Sequence, residues 1–348
     1  FSFDRASSAT VVNKAGLIET VGSGEPRIDY KDDSKGALLL EPTRSNLYTY
    51  SNDVSFWTKS NVITTSDYAI SPDGTQNAFR AVSSSISSLL YITSTGIIGT
   101  DNTLSVWAKS NGGSSNKFRF FGNGTTIKSN DYVATNEWQR FEFTYNCTSV
   151  TSGLTGASDS ATNDILFYGF QHEAGSYATS YIPSSGGAVT RIAETCEQNL
   201  SNVVSLTEGV IYIDTTNLGT DNNSNIISHH SVTDTVFCLK IDSSNKIAMG
   251  LFASGVNVSI NSTSSYPLGA RTKIALHYKS GDMSLYINGS LEGTNGASFT
   301  LGSGFASALR LIDATTAYNA YPSKSIVSDF RIYNTALTDQ ELINLTTI

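Results

Sequence analysis

Between Trp138 and Tyr145 the aromatic residues Phe141, Phe143 and Tyr145 alternate with Glu142 and Thr144. Alternation of this kind puts an apolar set of side chains on one face of an extended strand and a polar set on the other. The same two-residue period returns at Leu104, Val106 and Ala108, set against Ser105, Trp107 and Lys109, and again at Ile274, Leu276 and Tyr278. A chain made of such pieces must pair them into sheets and bury the apolar faces against a second layer. Helix-forming runs of Glu, Lys, Ala and Leu are missing, and charged residues make up only 15%. The fold class is therefore all-β, built from two β-sandwich (jelly-roll) domains.

Two domains suit the 348 residues, and one stretch marks the break. Gln171 to Arg191 reads QHEAGSYATSYIPSSGGAVTR. Gly175 permits a turn, Pro183 ends backbone pairing, and Ser184-Ser185-Gly186-Gly187 is loop chemistry. The stretch reads as a last strand, an exit turn and a tether, not as a catalytic centre. Residues 46–198 form the first expected sandwich, with strands at Ser88–Thr93, Asn102–Lys109, Lys117–Phe121, Glu137–Tyr145 and Asp164–Phe170. Residues 199–348 form the second. There Met283–Ile287 runs into Asn288-Gly289, a strong hairpin signal. Thr338-Asp339-Gln340-Glu341 is a capping box for a short terminal helix carrying Leu342 and Leu345.

Residues 1–45 carry only short extended pieces, broken by Gly16, Gly22, Gly24, Pro26, Gly36 and Pro42. They read as an extended N-terminal arm. Leu38-Leu39-Leu40 must be buried, either on the first domain or on an adjacent subunit. The chain opens at Phe1 rather than Met, which reads as a fragment or a processed product.

Net charge is −8, and neither half of the chain is basic or holds a Lys/Arg cluster, so nucleic acid is not expected as a partner. No apolar run approaches the roughly 20 residues of a membrane-spanning helix, so no membrane span is expected. Cys147, Cys196 and Cys238 are far apart and odd in number, giving neither metal spacing nor a disulfide framework.

A retaining glycosidase needs two carboxyls about 5–5.5 Å apart. Glu137 and Glu142 lie five apart on one strand and point to opposite faces. Catalytic residues are expected to be none, and the protein is read as not an enzyme. The adjacent His229 and His230 cannot both readily face one metal ion. His277 is expected as a surface-side neighbour of core residues. A sugar site needs a flat aromatic ring with amide, carboxylate or guanidinium groups beside it. Trp107, Trp57, Tyr318 and Tyr321 are the candidate carbohydrate-binding residues. For Trp107 and Trp57, packing against a second layer or the arm stands as the alternative. Trp138 is expected as a core lid.

Three resemblances add to this. The closing segment Gly169-Phe170-Gln171-His172-Glu173-Ala174-Gly175-Ser176-Tyr177-Ala178-Thr179-Ser180-Tyr181-Ile182-Pro183, with Ala188-Val189-Thr190-Arg191, resembles that of bacteriophage and prophage tail and other virion-associated proteins. Phe3-Asp4-Arg5-Ala6-Ser7-Ser8-Ala9-Thr10 and Leu38-Leu39-Leu40-Glu41-Pro42-Thr43-Arg44-Ser45-Asn46-Leu47 resemble the same family. His172, where an aliphatic residue belongs, and Glu194-Thr195-Cys196 depart from it. The strands of 46–190 resemble jelly-roll carbohydrate-binding modules. Leu285-Tyr286-Ile287-Asn288-Gly289 through Phe330-Arg331-Ile332-Tyr333-Asn334-Thr335-Ala336-Leu337-Thr338-Asp339-Gln340-Glu341-Leu342 is similar to the laminin-G/concanavalin-A-like lectin family. Together they imply a virion protein, of a tail or surface appendage, that attaches to host-surface or environmental glycan. They also imply other virion proteins as partners and a homo-oligomer. A purely structural decoration or cement protein is the first alternative, and a polysaccharide lyase or glycosidase the second. The lookalike families often bind structural calcium, for which Asp313 and Asp329 are the candidate metal ligands, with solvated loop acids as the alternative.

Overall fold

The computed structural model describes every residue except 84, 94–95, 113–115, 159–161, 221–223, 231–234, 254, 303–304, 306 and 313–322. Of residues 220, 224, 229–230 and 235–236 it describes the backbone alone. The described residues are all-β apart from short 3-10 turns and one helix, and the chain divides into two compact units. One unit comprises Ser7–Gly22 and Thr43–Ile192, and the other Phe1–Ala6, Ser23–Pro42 and Ala193–Ile348.

The unit holding residues 43–192 is a two-layer sandwich. Its first sheet has the order 139–146, 101–110, 163–174, 76–83 and 62–70, all antiparallel. The second has the order 127–128, 117–122, 151–156, 89–93 and 58–60, with 132–133 also pairing 117–118. Leu104, Val106 and Ala108 face the core, as the alternation predicts, and meet Phe79, Phe118, Phe120, Leu154 and Phe167. Phe141 and Phe143 pack against the same core half-buried, beside the buried Tyr145.

One strand departs from alternation. Ile165, Phe167 and Phe170 are all in the core, which a strict two-residue period forbids. The register with 101–110 shifts between Ser105 and Trp107, opposite Gly169. Gly169 has φ 68°, the left-handed conformation of a bulge glycine. The extra residue moves the phase by one, so Phe170 and His172 point inward while Gln171 and Glu173 point outward.

The stretch read as an exit turn is a polar knot. The Gln171 side chain accepts from Ile182 N at 2.6 Å and donates to Ser180 O at 3.1 Å. Glu173 accepts from Thr179 N at 2.9 Å and from the Thr179 hydroxyl. Arg191 donates to Thr179 Oγ1 and Ser180 Oγ. Asn46 donates to both Phe170 O and Ile182 O at 2.9 Å. A hairpin formed by Ala9–Val12 and Ile18–Val21 completes this unit, and Ile18 packs with Ala78, Tyr168 and Tyr181 on the outer side of the first sheet.

The other unit is also a sandwich. One seven-stranded sheet runs 2–4, 195–198, 309–311, 224–230, 235–241, 246–253 and 256–265. The second runs 290–295, 283–287, 271–279, 208–220, 323–333, 37–40 and 28–29. Ile211, Ile213, Ile274, Leu276, Leu285 and Ile287 face Phe237, Leu239, Met249 and Leu251 in the shared core. Asn288 and Gly289 take φ of 50° and 82°, the hairpin turn expected of that dipeptide. The helix Asp339–Thr346 carries the expected capping box. Its Leu342 packs on Val210, Tyr212, Ala275 and Tyr286 on the outer side of the second sheet.

Residues 1–45 do not form one arm. Ser2–Asp4 pairs with Thr195–Gln198, Ala37–Leu40 pairs with the strand Ser323–Tyr333, and Ile28–Asp29 adds beyond it. Leu40 enters the core of that unit with Leu38 half-buried against it, while Leu39 packs with Ala37 and Ile326 in a separate cluster. His277 also differs from expectation. It faces away from Ile274, Leu276 and Tyr278, yet it is 6% exposed, because the outer side of its sheet is itself covered.

Candidate functional site

The structure takes the aromatic candidates apart. Trp57 is 3% exposed, with its ring 4.9 Å from Tyr48 and 4.5 Å from Phe170, and its indole N–H donates to Tyr50 O at 2.9 Å. It is a core residue and offers no face to a sugar. Trp107 does point away from the core, as read from the alternation, but its side of the sheet is occupied. The Arg140 guanidinium lies over the ring at 4.4 Å from its centroid. Tyr181 and Tyr168 approach edge-on at 5.7 and 6.1 Å. Trp138 is half-buried in the same cluster and donates its indole N–H to Ile70 O.

Tyr318, Tyr321 and Asp313 lie outside the described residues. Asp329 is in an ion pair with Arg331 at 2.5 Å. Among the described residues there is no group of three His, Cys, Asp or Glu side chains placed to hold a metal ion. His172, the departure from the family pattern, is fully buried with Nε2 2.9 Å from Asn102 Oδ1. Burial lowers its pKa to about 3, so it is neutral at physiological pH.

Cross-strand pairing sorts the outer side of the five-stranded sheet into rows. Arg140, Trp107 and Tyr168 make one row, which is the covered half. Lys109, Leu166, Arg80 and Thr65 make the next row. Here four residues that the sequence reading passed over come together. Arg80 Nε donates to Asp164 Oδ1 at 2.8 Å and its Nη2 to Oδ2 at 2.5 Å, a two-pronged pair that fixes both planes. Asn111 Nδ2 donates to the same Asp164 Oδ1 at 3.0 Å. The Arg80 guanidinium also lies 5.1 Å from the Tyr68 ring centroid, and Tyr68 is 43% exposed.

Hydrogen bonds from Arg80 hold the Asp164 carboxyl below the usual carboxylate range, so it is charged at neutral pH. The result is an open aromatic ring beside a fixed guanidinium, a carboxylate and an amide. Such a group suits a polyhydroxylated ligand, with C–H groups against the ring and hydroxyls on the planar polar groups. Another concavity in this unit lies between the two sheets, lined by Val62, Leu90, Phe118, Leu154, Ile165 and Phe167 among others. Its walls are too apolar for a sugar.

Sequence reasoning missed this group for a clear reason. Arg80 and Asp164 are 84 residues apart, and neither carries a local motif. The only signal was indirect, since Arg80 sits between the core residues Phe79 and Ala81 and must therefore face outward.

Residues 211–343 match the family model of the concanavalin A-like lectin/glucanases superfamily (Laminin_G_3). A search of curated proteins finds no match. Among solved structures the chain is similar to the Ruminococcus gnavus IT-sialidase CBM40 bound to α2,3-sialyllactose, with 20% identity over 44% of this chain and 92% of that one, TM-score 0.37. It is similar to domain 4 of AbnA, a GH43 extracellular arabinanase from Geobacillus stearothermophilus, in complex with arabinotriose, with 14% identity over 50% and 84%, TM-score 0.38. The native heptameric SAP-like pentraxin from Limulus polyphemus gives 16% identity over 42% and 73%, TM-score 0.34. The region 211–343 is thus similar to a concanavalin A-like lectin domain, and the described residues of the chain form β-sandwiches.

Proposed function

We propose that this chain is a glycan-attachment protein of a bacteriophage tail or surface appendage, and that the outer face around Tyr68, Arg80, Asp164 and Asn111 contacts the sugar. The observation that carries the reading is the exposed Tyr68 ring beside the Arg80–Asp164–Asn111 group, preorganised by its own hydrogen bonds. Ordered polar groups lose little entropy when a ligand arrives. The lectin-like match of 211–343 and the closing segment Gln171–Arg191 support the same reading from the sequence side. Copies of the chain and other virion proteins are its expected neighbours.

A glycan-array screen of the purified chain, with calcium added or chelated, tests the proposal. Binding is expected for the unaltered chain and a loss of at least about tenfold for Tyr68→Ala and for Asp164→Asn, since stacking contacts carry much of such affinity. Binding that survives both substitutions would place the site elsewhere. A folded chain that binds nothing on the array would favour the decoration or cement reading, which the internal packing of Trp57 and Trp107 also suits. Sugar release or unsaturated products from mixed polysaccharides would favour the enzyme.

A further inference from the structure

The chain passes between its two units four times, at residues 6/7, 22/23, 42/43 and 192/193. Near these crossings, on the side of the unit that includes residues 193–348, stand four charged residues with fully buried side chains, Arg5, Arg27, Glu41 and Glu194. All four belong to the same unit and meet one another. Arg5 Nη1 is 3.2 Å from Glu194 Oε1, and Arg27 Nη2 is 2.6 Å from that same oxygen. Arg27 Nη1 is 2.9 Å from Glu41 Oε2, and Lys324 Nζ approaches Glu41 Oε1 at 3.7 Å. The backbone joins in, with Glu41 N donating to Glu194 Oε2 at 2.8 Å and Glu194 N to Glu41 O at 3.2 Å. Arg5 O accepts from Gly24 N and the Ser23 hydroxyl, while Arg27 O accepts from Leu39 N.

Two guanidinium groups and two carboxylates with no exposed surface are costly to place together. Deleting one partner leaves a buried charge without its counter-ion. An apolar group would fill such space at less risk, so the quartet points to specificity rather than to bulk stability. We infer that it is a charge lock that fastens residues 1–6 and 23–42 as a strap onto the unit formed by residues 193–348. The strap supplies the edge strand 2–4 to one sheet and the strands 37–40 and 28–29 to the other, and the two outermost of these, 2–4 and 28–29, lie near Arg5 and Arg27 in sequence. The lectin-like span 211–343 contains none of the four charges. That span is therefore incomplete without the strap.

Hydrogen exchange read by mass spectrometry on the full chain tests the lock, comparing the unaltered protein with Glu194→Gln, Arg27→Met and the milder Arg5→Lys. Glu194→Gln and Arg27→Met are expected to raise exchange about a hundredfold or more in 1–6, 23–42 and 195–198, since breaking a buried pair is severe. Exchange in 163–174 should stay unchanged, and Arg5→Lys, which keeps the charge, should show a smaller rise in the same segments. Unchanged exchange in all three variants would overturn the inference, as would equal loosening of 163–174. If the two severe variants fail to fold, Arg5→Lys decides alone. A rise confined to the strap and 195–198 supports the lock, and any other pattern removes it.

Discussion

The guanidinium carbon of Arg140 lies 4.4 Å from the centroid of the Trp107 ring, and two donors hold it there. Nη1 donates to Thr179 O at 2.6 Å and Nη2 to Ser105 Oγ at 2.8 Å. The arrangement ties the strand of Trp107 to the closing segment, and it leaves that ring face to the protein itself. Trp107→Ala is therefore expected to destabilise the chain by about 3–5 kcal/mol, the range for deleting a large packed aromatic side chain. Arg140→Ala should cost about 1–3 kcal/mol through lost charged hydrogen bonds and cation–π contact. Neither should weaken glycan binding measured well below the unfolding temperature. Denaturant unfolding and titration calorimetry on the same samples check both halves, and a stable Trp107→Ala chain that no longer binds would return this ring to the site.

The outward direction of Trp107 was readable from Leu104, Val106 and Ala108, because alternation is a local property. What covers an outward face is set by remote segments, here Arg140 and Tyr181, and no period in the sequence reports that. The Asn288-Gly289 turn and the Thr338–Glu341 cap were legible for the same local reason. Strands at 195–198, 224–230 and 309–311 were missed because Thr195-Cys196-Glu197-Gln198 is polar, Leu309-Arg310-Leu311 is too short to show a period, and both are held by long-range pairing. The open group of Tyr68, Arg80, Asp164 and Asn111 is illegible in the same sense. Only pairing between 62–70, 76–83 and 163–174 brings its members together.

His172 makes the unit of residues 43–192 sensitive to acid. Burial lowers the folded pKa to about 3 from an ordinary 6.5. Between those values the unfolded chain binds a proton that the folded chain does not. The stabilisation is therefore fully present above about pH 6.5 and is lost progressively as pH falls toward 3. The Asp73 carboxyl, held at about 2 by hydrogen bonds from Thr75, Asn77 and Ser71 against an opposing burial effect, acts in the same direction. Its stabilisation is present above about pH 4 and disappears as pH falls through 2. Unfolding temperature should fall between pH 7 and 4, and His172→Gln should flatten that slope. An unaltered slope in His172→Gln would mean that other groups set the acid response.

Glu292 joins the strand 290–295 to 256–265 through one carboxylate. Oε2 accepts from Thr263 N, Thr263 Oγ1 and Ser264 N at 2.7–2.9 Å, and Oε1 accepts from Tyr266 Oη at 2.8 Å. These donors hold its pKa near 2 although burial pushes the other way. Glu292→Ala leaves the donors without their acceptor and is expected to cost about 2–4 kcal/mol. Glu292→Gln keeps one acceptor and should cost about half as much. Equilibrium unfolding followed in the two variants gives the comparison, and equal losses would show that charge, not acceptor number, is what the site needs.

Gly169 offers the most direct probe of how the site-bearing sheet is phased. A Cβ built on Gly169 would lie 3.0 Å from Trp107 Cε3 and 3.3 Å from Tyr181 Cε2, and its φ of 68° is one that side-chain-bearing residues rarely adopt. Gly169→Ala therefore meets a backbone cost of about 1–2 kcal/mol together with a push on two packed rings. The alternative open to the chain is to flatten the bulge, which would turn Phe170 and His172 outward and expose the core. That route is far more costly, since each large apolar side chain drawn into water forfeits about 1.5–3 kcal/mol. The bulge should therefore persist in Gly169→Ala with stability lowered by about 2–3 kcal/mol. Near-ultraviolet circular dichroism of the aromatic core, read beside denaturant unfolding, distinguishes the two responses: a conserved spectrum with lower stability keeps the bulge, and a lost spectrum means that the strand has slipped by one residue.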